Sequence, residues 1–185
     1  MTYIKETIKC PKCNKNIRIK IKKELNENDF SSIINRDIFK YKCDNCSNEV
    51  LIDYPFIFEG ENYSVIYKTS EQKENHDKKF LRICTDFDEV KEKILIFHAG
   101  LNDIMIEFIK KYIESLLEKE RCFLRFDSVD DTNIVFYELD EKEYLGFSLD
   151  NYKKLLDHSK IKKLAGYVEI NSDNFHKYIK VRSWI

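Results

Sequence analysis

From position 17 to 22 the chain alternates strictly. Ile17, Ile19 and Ile21 take one parity and Arg18, Lys20 and Lys22 the other, the period of two that marks a strand with one buried face. Tyr3–Lys9 and Ile38–Lys42 are predicted strands, each running into a pair of cysteines. Val50–Tyr54 and Tyr63–Lys68 are predicted as further strands, with Gly60 in the turn between them. Pro55 has no amide hydrogen to give to a ladder, so it ends a strand or lies on an edge. Residues 24–37 interrupt the alternation and predict a short helix at Phe30–Ile34.

Positions 70–79 hold no apolar side chain and read as an exposed linker or hairpin loop, followed by a strand at Phe80–Cys84. The period then changes. Asp86 with Glu89, or Thr85 with Asp88, has the spacing of a helix cap, and Phe87, Val90, Ile94 and Phe97 recur along one face. A broader stripe runs from Leu101 through Ile104, Met105, Phe108, Ile109, Tyr112 and Ile113 to Leu116 and Leu117, with Gly100 at the bend between the two helices. Cys122–Phe126 and Ile134–Leu139 flank a turn-like segment at 127–133, and Tyr144–Leu149 is a third strand. Tyr152, Leu155 and Leu156 predict a helix and Tyr167–Ile170 another strand. A last short helix, capped by Asn171 or Ser172, runs through Phe175 and Ile179. No internal repeat is evident.

The expected fold is therefore α+β, in four stretches. Residues 1–69 form an N-terminal antiparallel β module of zinc-ribbon type and 70–79 a polar linker or hairpin loop. Residues 80–120 hold a strand and a central helical pair, and 121–185 a C-terminal mixed α/β region. A chain of 185 residues with 43% hydrophobic and 14% aromatic composition can bury a real core. Its net charge of −1 excludes a global field for nucleic acid or anionic membranes. Charge is uneven, however: residues 1–23 carry eight basic groups against Glu6 alone. No apolar stretch approaches the roughly 20 residues that span a bilayer, and no signal peptide is visible, so a cytoplasmic location without membrane contact is expected.

Chemistry is concentrated in two short motifs. Cys10-Pro-Lys-Cys13 and Cys43-Asp-Asn-Cys46 are CxxC pairs separated by 29 residues. Two residues between cysteines let the backbone turn as a knuckle with both sulfurs aimed at one point, and two facing knuckles supply four thiolates. That set suits one structural Zn2+, with no position left for a reacting water. In a reducing compartment paired CxxC motifs favour metal over disulfide; free or redox-active cysteines are the competing reading. The separation exceeds that of a compact ribbon, so residues 24–37 must form an excursion.

These cysteine pairs, with Asp53-Tyr-Pro-Phe-Ile-Phe58, resemble the CpXC domain, a bacterial and archaeal zinc-ribbon-like module. Glu92-Lys-Ile-Leu-Ile-Phe97, Gly100-Leu-Asn-Asp103 and Glu107 resemble the segment that follows it in that family, so the resemblance covers roughly residues 7–120. It implies a metal-binding domain with no catalytic role.

The remaining candidates have plainer explanations. Cys84 and Cys122 fall in apolar strands and read as core. His98 ends a helix, where a cation suits the dipole. Asp127, Asp130 and Asp131 lack the spacing and the glycine of a calcium loop. Asp86, Asp88 and Glu89 are explained by capping, and the four glycines are too scattered for a phosphate loop. The expectation is a non-enzymatic, zinc-stabilised interaction or regulatory module that binds a protein partner. The alternative is a nucleic-acid-binding ribbon that uses Arg18, Lys20, Lys22 and Lys23, with Tyr41, Tyr54 or Phe56 stacking on bases.

Overall fold

A computed structural model gives the fold and describes residues 3–69, 78–117 and 122–181. The chain divides into two units, residues 1–91 and 92–185.

The first unit opens with the strictly alternating segment. β1 (Tyr3–Lys9) and β2 (Asn16–Lys22) form an antiparallel hairpin in which Ile8 opposes Ile17 and Ile4 opposes Ile21. Ile17, Ile19 and Ile21 are buried while Arg18 and Lys20 face solvent, as the period of two requires. β3 (Glu24–Asn26) leads into a 3-10 turn at 27–29 and α1 (Phe30–Ile34). β4 (Lys40–Lys42) and β5 (Glu49–Leu51) make a second antiparallel hairpin. β6 (Phe56–Glu59), β7 (Tyr63–Tyr67) and β8 (Phe80–Cys84) complete a four-stranded sheet in the order β3-β6-β7-β8. Its outer pairings, β3 with β6 and β7 with β8, are parallel.

An aromatic cluster holds this unit together. Phe39 packs against Tyr54, Phe56, Tyr67 and Phe87, with ring centroids 4.8 to 6.5 Å apart. The cluster explains where strand prediction fails. The strand expected at Ile38–Lys42 begins only at Lys40, because a 3-10 turn at Asp37–Phe39 carries Phe39 into the cluster. The strand expected at Val50–Tyr54 stops at Leu51, and Tyr54 turns inward to the same rings. A strand then starts directly after Pro55; its Phe-Ile-Phe run is buried on both faces and shows no alternation to detect. Of the hydrophilic stretch 70–79, all but Lys78 and Lys79 lies outside the described residues. The strand after it belongs with the β module, since β8 hydrogen-bonds to β7.

α2 (Phe87–His98) spans the boundary at residue 91. The Asp86 carboxylate caps it, accepting from the backbone N–H of Asp88 at 2.8 Å and of Glu89 at 3.2 Å. In the second unit Gly100, at φ +72°, makes the bend, and Asn102 caps α3 (Asp103–Leu116). Along the stripe Leu101, Ile104, Met105, Ile109 and Ile113 are buried and Phe108 and Tyr112 half-buried, while Leu116 and Leu117 at its end are exposed. β9 (Leu124–Val129), β10 (Asn133–Glu138) and β11 (Glu143–Ser148) form an antiparallel meander, followed by α4 (Leu149–Asp157).

β12 (Ser159–Ile161) pairs with β13 (Ile179–Val181), and neither strand is foreseen by the sequence pattern. The strand predicted at Tyr167–Ile170 is reduced to a single bridge at Val168. The last predicted helix is a 3-10 turn at Phe175–Lys177, after which Ile179 enters β13. The expected loop at 127–133 is also shorter, because β9 runs on to Val129. Asp130 closes the turn by accepting from the N–H groups of Thr132 and Asn133, which lowers its carboxyl pKa.

The second unit contains one feature that hydropathy does not indicate. Lys93, fully buried, lies 3.3 Å from Asp103 and 3.2 Å from Glu107, which are buried too. Lys110 joins Glu107 at 3.1 Å to Glu92 at 2.7 Å, and Glu92 also accepts the N–H of Phe126 at 2.6 Å. Glu92, Lys93, Asp103 and Glu107 are the charged residues of the helical segments that resemble the CpXC family, and with Lys110 they form a charge network inside the unit.

Candidate metal centre

The two cysteine pairs sit in the turns of the two hairpins, and the turns are built alike. In the first, the Asn14 N–H donates to the Cys10 carbonyl at 2.9 Å and the Cys10 N–H to the Lys15 carbonyl at 2.9 Å. In the second, the Ser47 N–H donates to the Cys43 carbonyl at 2.8 Å and the Cys43 N–H to the Asn48 carbonyl at 2.9 Å. Asn14 and Ser47 both adopt the left-handed conformation, at φ 57° and 56°. The same five-residue knuckle therefore occurs twice, each time clamped by a strand on either side. The CxxC repeated in sequence is thus a repetition of backbone geometry, with different residues at every position but the cysteines.

The knuckles face one another. Cys10 Sγ lies 3.6 Å from Cys46 Sγ, and Cys13 Sγ lies 3.7 Å from Cys43 Sγ. All four sulfurs fall within 4.8 Å of each other. Four ligands about 2.3 Å from a central ion stand about 3.8 Å apart in a regular tetrahedron, so the donor set fits a tetrahedral metal. Cys10 and Cys43 are buried and Cys13 and Cys46 half-buried, which leaves each pair with one inner and one outer sulfur. The four cysteines can hold a metal ion.

Electrostatics favour a cation there. The Lys15 backbone N–H brings the Cys13 thiol down to about 6, so one thiolate forms readily. Cys46 receives the matching N–H from Asn48, yet burial and the other three sulfurs push it up to about 12. Cys13 therefore takes a negative charge easily, and Cys46 resists one beside it. A divalent ion at the centre relieves that repulsion.

The model of the CpXC protein family matches residues 8–110, more than half of the chain. The chain belongs to the CpXC family. The match takes in both knuckles, the four-stranded sheet and most of α3. No curated protein and no solved structure matches. The CpXC assignment thus agrees with the resemblance carried by the cysteine pairs and the Tyr-Pro-Phe and Gly-Leu-Asn-Asp segments.

The expected nucleic-acid contacts divide. Arg18 and Lys20 project from the exposed face of β2, beside Thr7 and Lys5 of β1 in the register. Lys22 instead forms a half-buried ion pair with Asp29 at 2.6 Å. Lys23 lies on the opposite side, lining an apolar groove. Of the expected stacking rings, Tyr54 and Phe56 are buried in the aromatic cluster, and Tyr41 donates its hydroxyl to the Lys20 carbonyl at 3.3 Å. Cys84 is buried as expected, whereas Cys122 is half-buried. Among the described residues no helix is long and apolar enough to cross a membrane.

Proposed function

We propose that this CpXC protein is a zinc-stabilised, non-catalytic interaction module that binds another protein. Cys10, Cys13, Cys43 and Cys46 hold one structural Zn2+. The observation that carries the metal assignment is the pairing of two equivalent knuckles whose sulfurs stand at tetrahedral spacing. Four thiolates fill the coordination shell, so the ion cross-links two hairpins and leaves no position for a substrate or an activated water. The interaction role is supported by the β1–β2 hairpin, which pairs with no other strand among the described residues and so keeps an open edge beside an apolar groove.

The experiment is affinity capture from the native host with wild-type protein and with Cys43→Ser, in parallel with metal analysis. The reading expects a defined partner on the wild type and its loss with the metal. Recovery of the same proteins on both forms contradicts it.

A second reading is favoured by one observation. Lys5, Lys9, Arg18 and Lys20 stand exposed on one face of the hairpin, and none makes an ion pair among the described residues. Such a face suits a polyanion, and phosphate contacts make affinity fall steeply with salt. Anisotropy titration of labelled single-stranded and duplex nucleic acid at increasing salt tests this reading, with Arg18→Glu/Lys20→Glu as the variant. Equal weak binding by wild type and variant rejects it.

A further inference from the structure

We infer that the open edge of β1 receives an extended segment of a partner protein, whose apolar side chains enter the adjoining groove and whose acidic side chains meet Lys5 and Lys9. The inference rests on the protein-binding reading above and specifies its site and the chemistry of its partner.

β1 is an edge strand. It pairs along its whole length with β2 and with nothing on its other side among the described residues. In an antiparallel ladder alternate residues direct N–H and C=O outward, so this side offers a row of unused backbone groups. The groove beside it has a volume of about 330 Å³ and is lined by Ile4, Ile8, Ile19, Ile21, Ile52 and Pro55, with Glu6 among its polar groups. Ile4 and Ile8 are only half-covered. On the opposite face Lys5 and Lys9 are exposed.

The charge order selects the occupant. A second copy is unfavourable: an antiparallel pairing centred on Glu6 sets Glu6 against Glu6, and one centred on Thr7 sets Lys5 against Lys9. Like charges directly opposite destabilise a strand pair. A complementary strand carries apolar residues against Ile4 and Ile8, acids against Lys5 and Lys9, and a base against Glu6. Main-chain bonds then supply affinity and the alternating side chains supply specificity. Nucleic acid can satisfy the lysines and accept from single N–H groups, but it supplies neither a strand's alternating row of donors and acceptors nor aliphatic side chains for the groove.

The probe is the peptide Glu-Val-Thr-Lys-Glu-Val-Thr, blocked at both ends, which matches this order antiparallel to β1. It is titrated into the full chain and followed by amide NMR shifts and hydrogen exchange. The expected result is slowed exchange at β1 amides and at least tenfold weaker binding by a peptide with both Glu replaced by Lys. Lys5→Glu/Lys9→Glu, a surface change that leaves the hairpin core intact, should invert that preference. Equal binding by a scrambled peptide of the same composition overturns the proposal, as do shifts away from β1 or displacement of the peptide by single-stranded nucleic acid. A host partner captured equally well by wild type and Lys5→Glu/Lys9→Glu overturns the edge site alone and leaves the broader protein-binding reading standing.

Discussion

Asn14 and Ser47 occupy the same left-handed position directly after the second cysteine of their pairs, and each donates its N–H to the carbonyl of the first cysteine of its pair. The relationship is geometric, because asparagine and serine share little beyond a small polar side chain. Asparagine enters this backbone region readily, whereas for other residues it costs on the order of 1–2 kcal/mol.

Ser47→Gly should therefore stabilise the second knuckle by up to about 1 kcal/mol, since glycine adopts a positive φ without strain. Ser47→Val should destabilise it by about 1–2 kcal/mol, because a branched Cβ is excluded there. Thermal unfolding of the metal-bound protein checks both signs. Equal melting temperatures for the two variants would contradict the positional argument.

Removal of one ligand should act locally. Structural zinc contributes on the order of 10–16 kcal/mol in small peptides. The aromatic cluster of Phe39, Phe56, Tyr67 and Phe87 is built without the cysteines, however. In Cys43→Ser we expect fast hydrogen exchange throughout β1–β2 and β4–β5, with protection retained in β6 and β7. Uniform loss of protection across residues 1–91 would show that the cluster cannot stand alone.

Acid should release the metal. In the metal-free site the Cys13 thiol pKa is lowered, so its contribution to stability is complete above the ordinary thiol range and is lost as pH falls through about 6; a bound cation holds the thiolates to lower pH still. Metal retention should decline from there downward, because protons compete for the same sulfurs. Zinc release followed with a chromogenic chelator gives the profile, and retention unchanged down to pH 3 would contradict it.

In the second unit, Lys93→Met should cost about 3–5 kcal/mol, because it removes the buried cation that Asp103 and Glu107 share and leaves Glu107 with Lys110 alone. Burial pushes the Glu107 carboxyl up, but Lys93 and Lys110 outweigh it and hold the group below its ordinary value. The stabilisation is thus complete above the carboxylate range and disappears as pH falls through the lowered value. Denaturant unfolding at pH 7 should separate Lys93→Met from wild type clearly, and at strongly acidic pH the gap should shrink. A gap independent of pH would contradict this account of the network.

Much of this was legible in the sequence. The alternation of Ile17, Ile19 and Ile21 identified β2, and the 3.6-residue period identified α2 and α3 with useful boundaries. The cysteine spacing identified the four sulfurs that the fold brings together. Three things escaped. Phe56–Glu59 is buried on both faces and shows no period, so its strand was hidden. Lys22 looks like any residue of a basic strand face until Asp29, seven positions on, closes on it. Lys93 follows Lys91 and Glu92 in sequence and reads as one more solvated charge, and only Asp103 and Glu107 of the next helix explain how it is buried.

The account rests on a metal ion joining the two hairpins. Elemental analysis combined with native mass spectrometry of freshly purified full chain tests this most directly. We predict one zinc per chain in the wild type and none in Cys10→Ser/Cys43→Ser. A metal-free wild type that keeps hydrogen-exchange protection in β1–β2 and β4–β5 would contradict it.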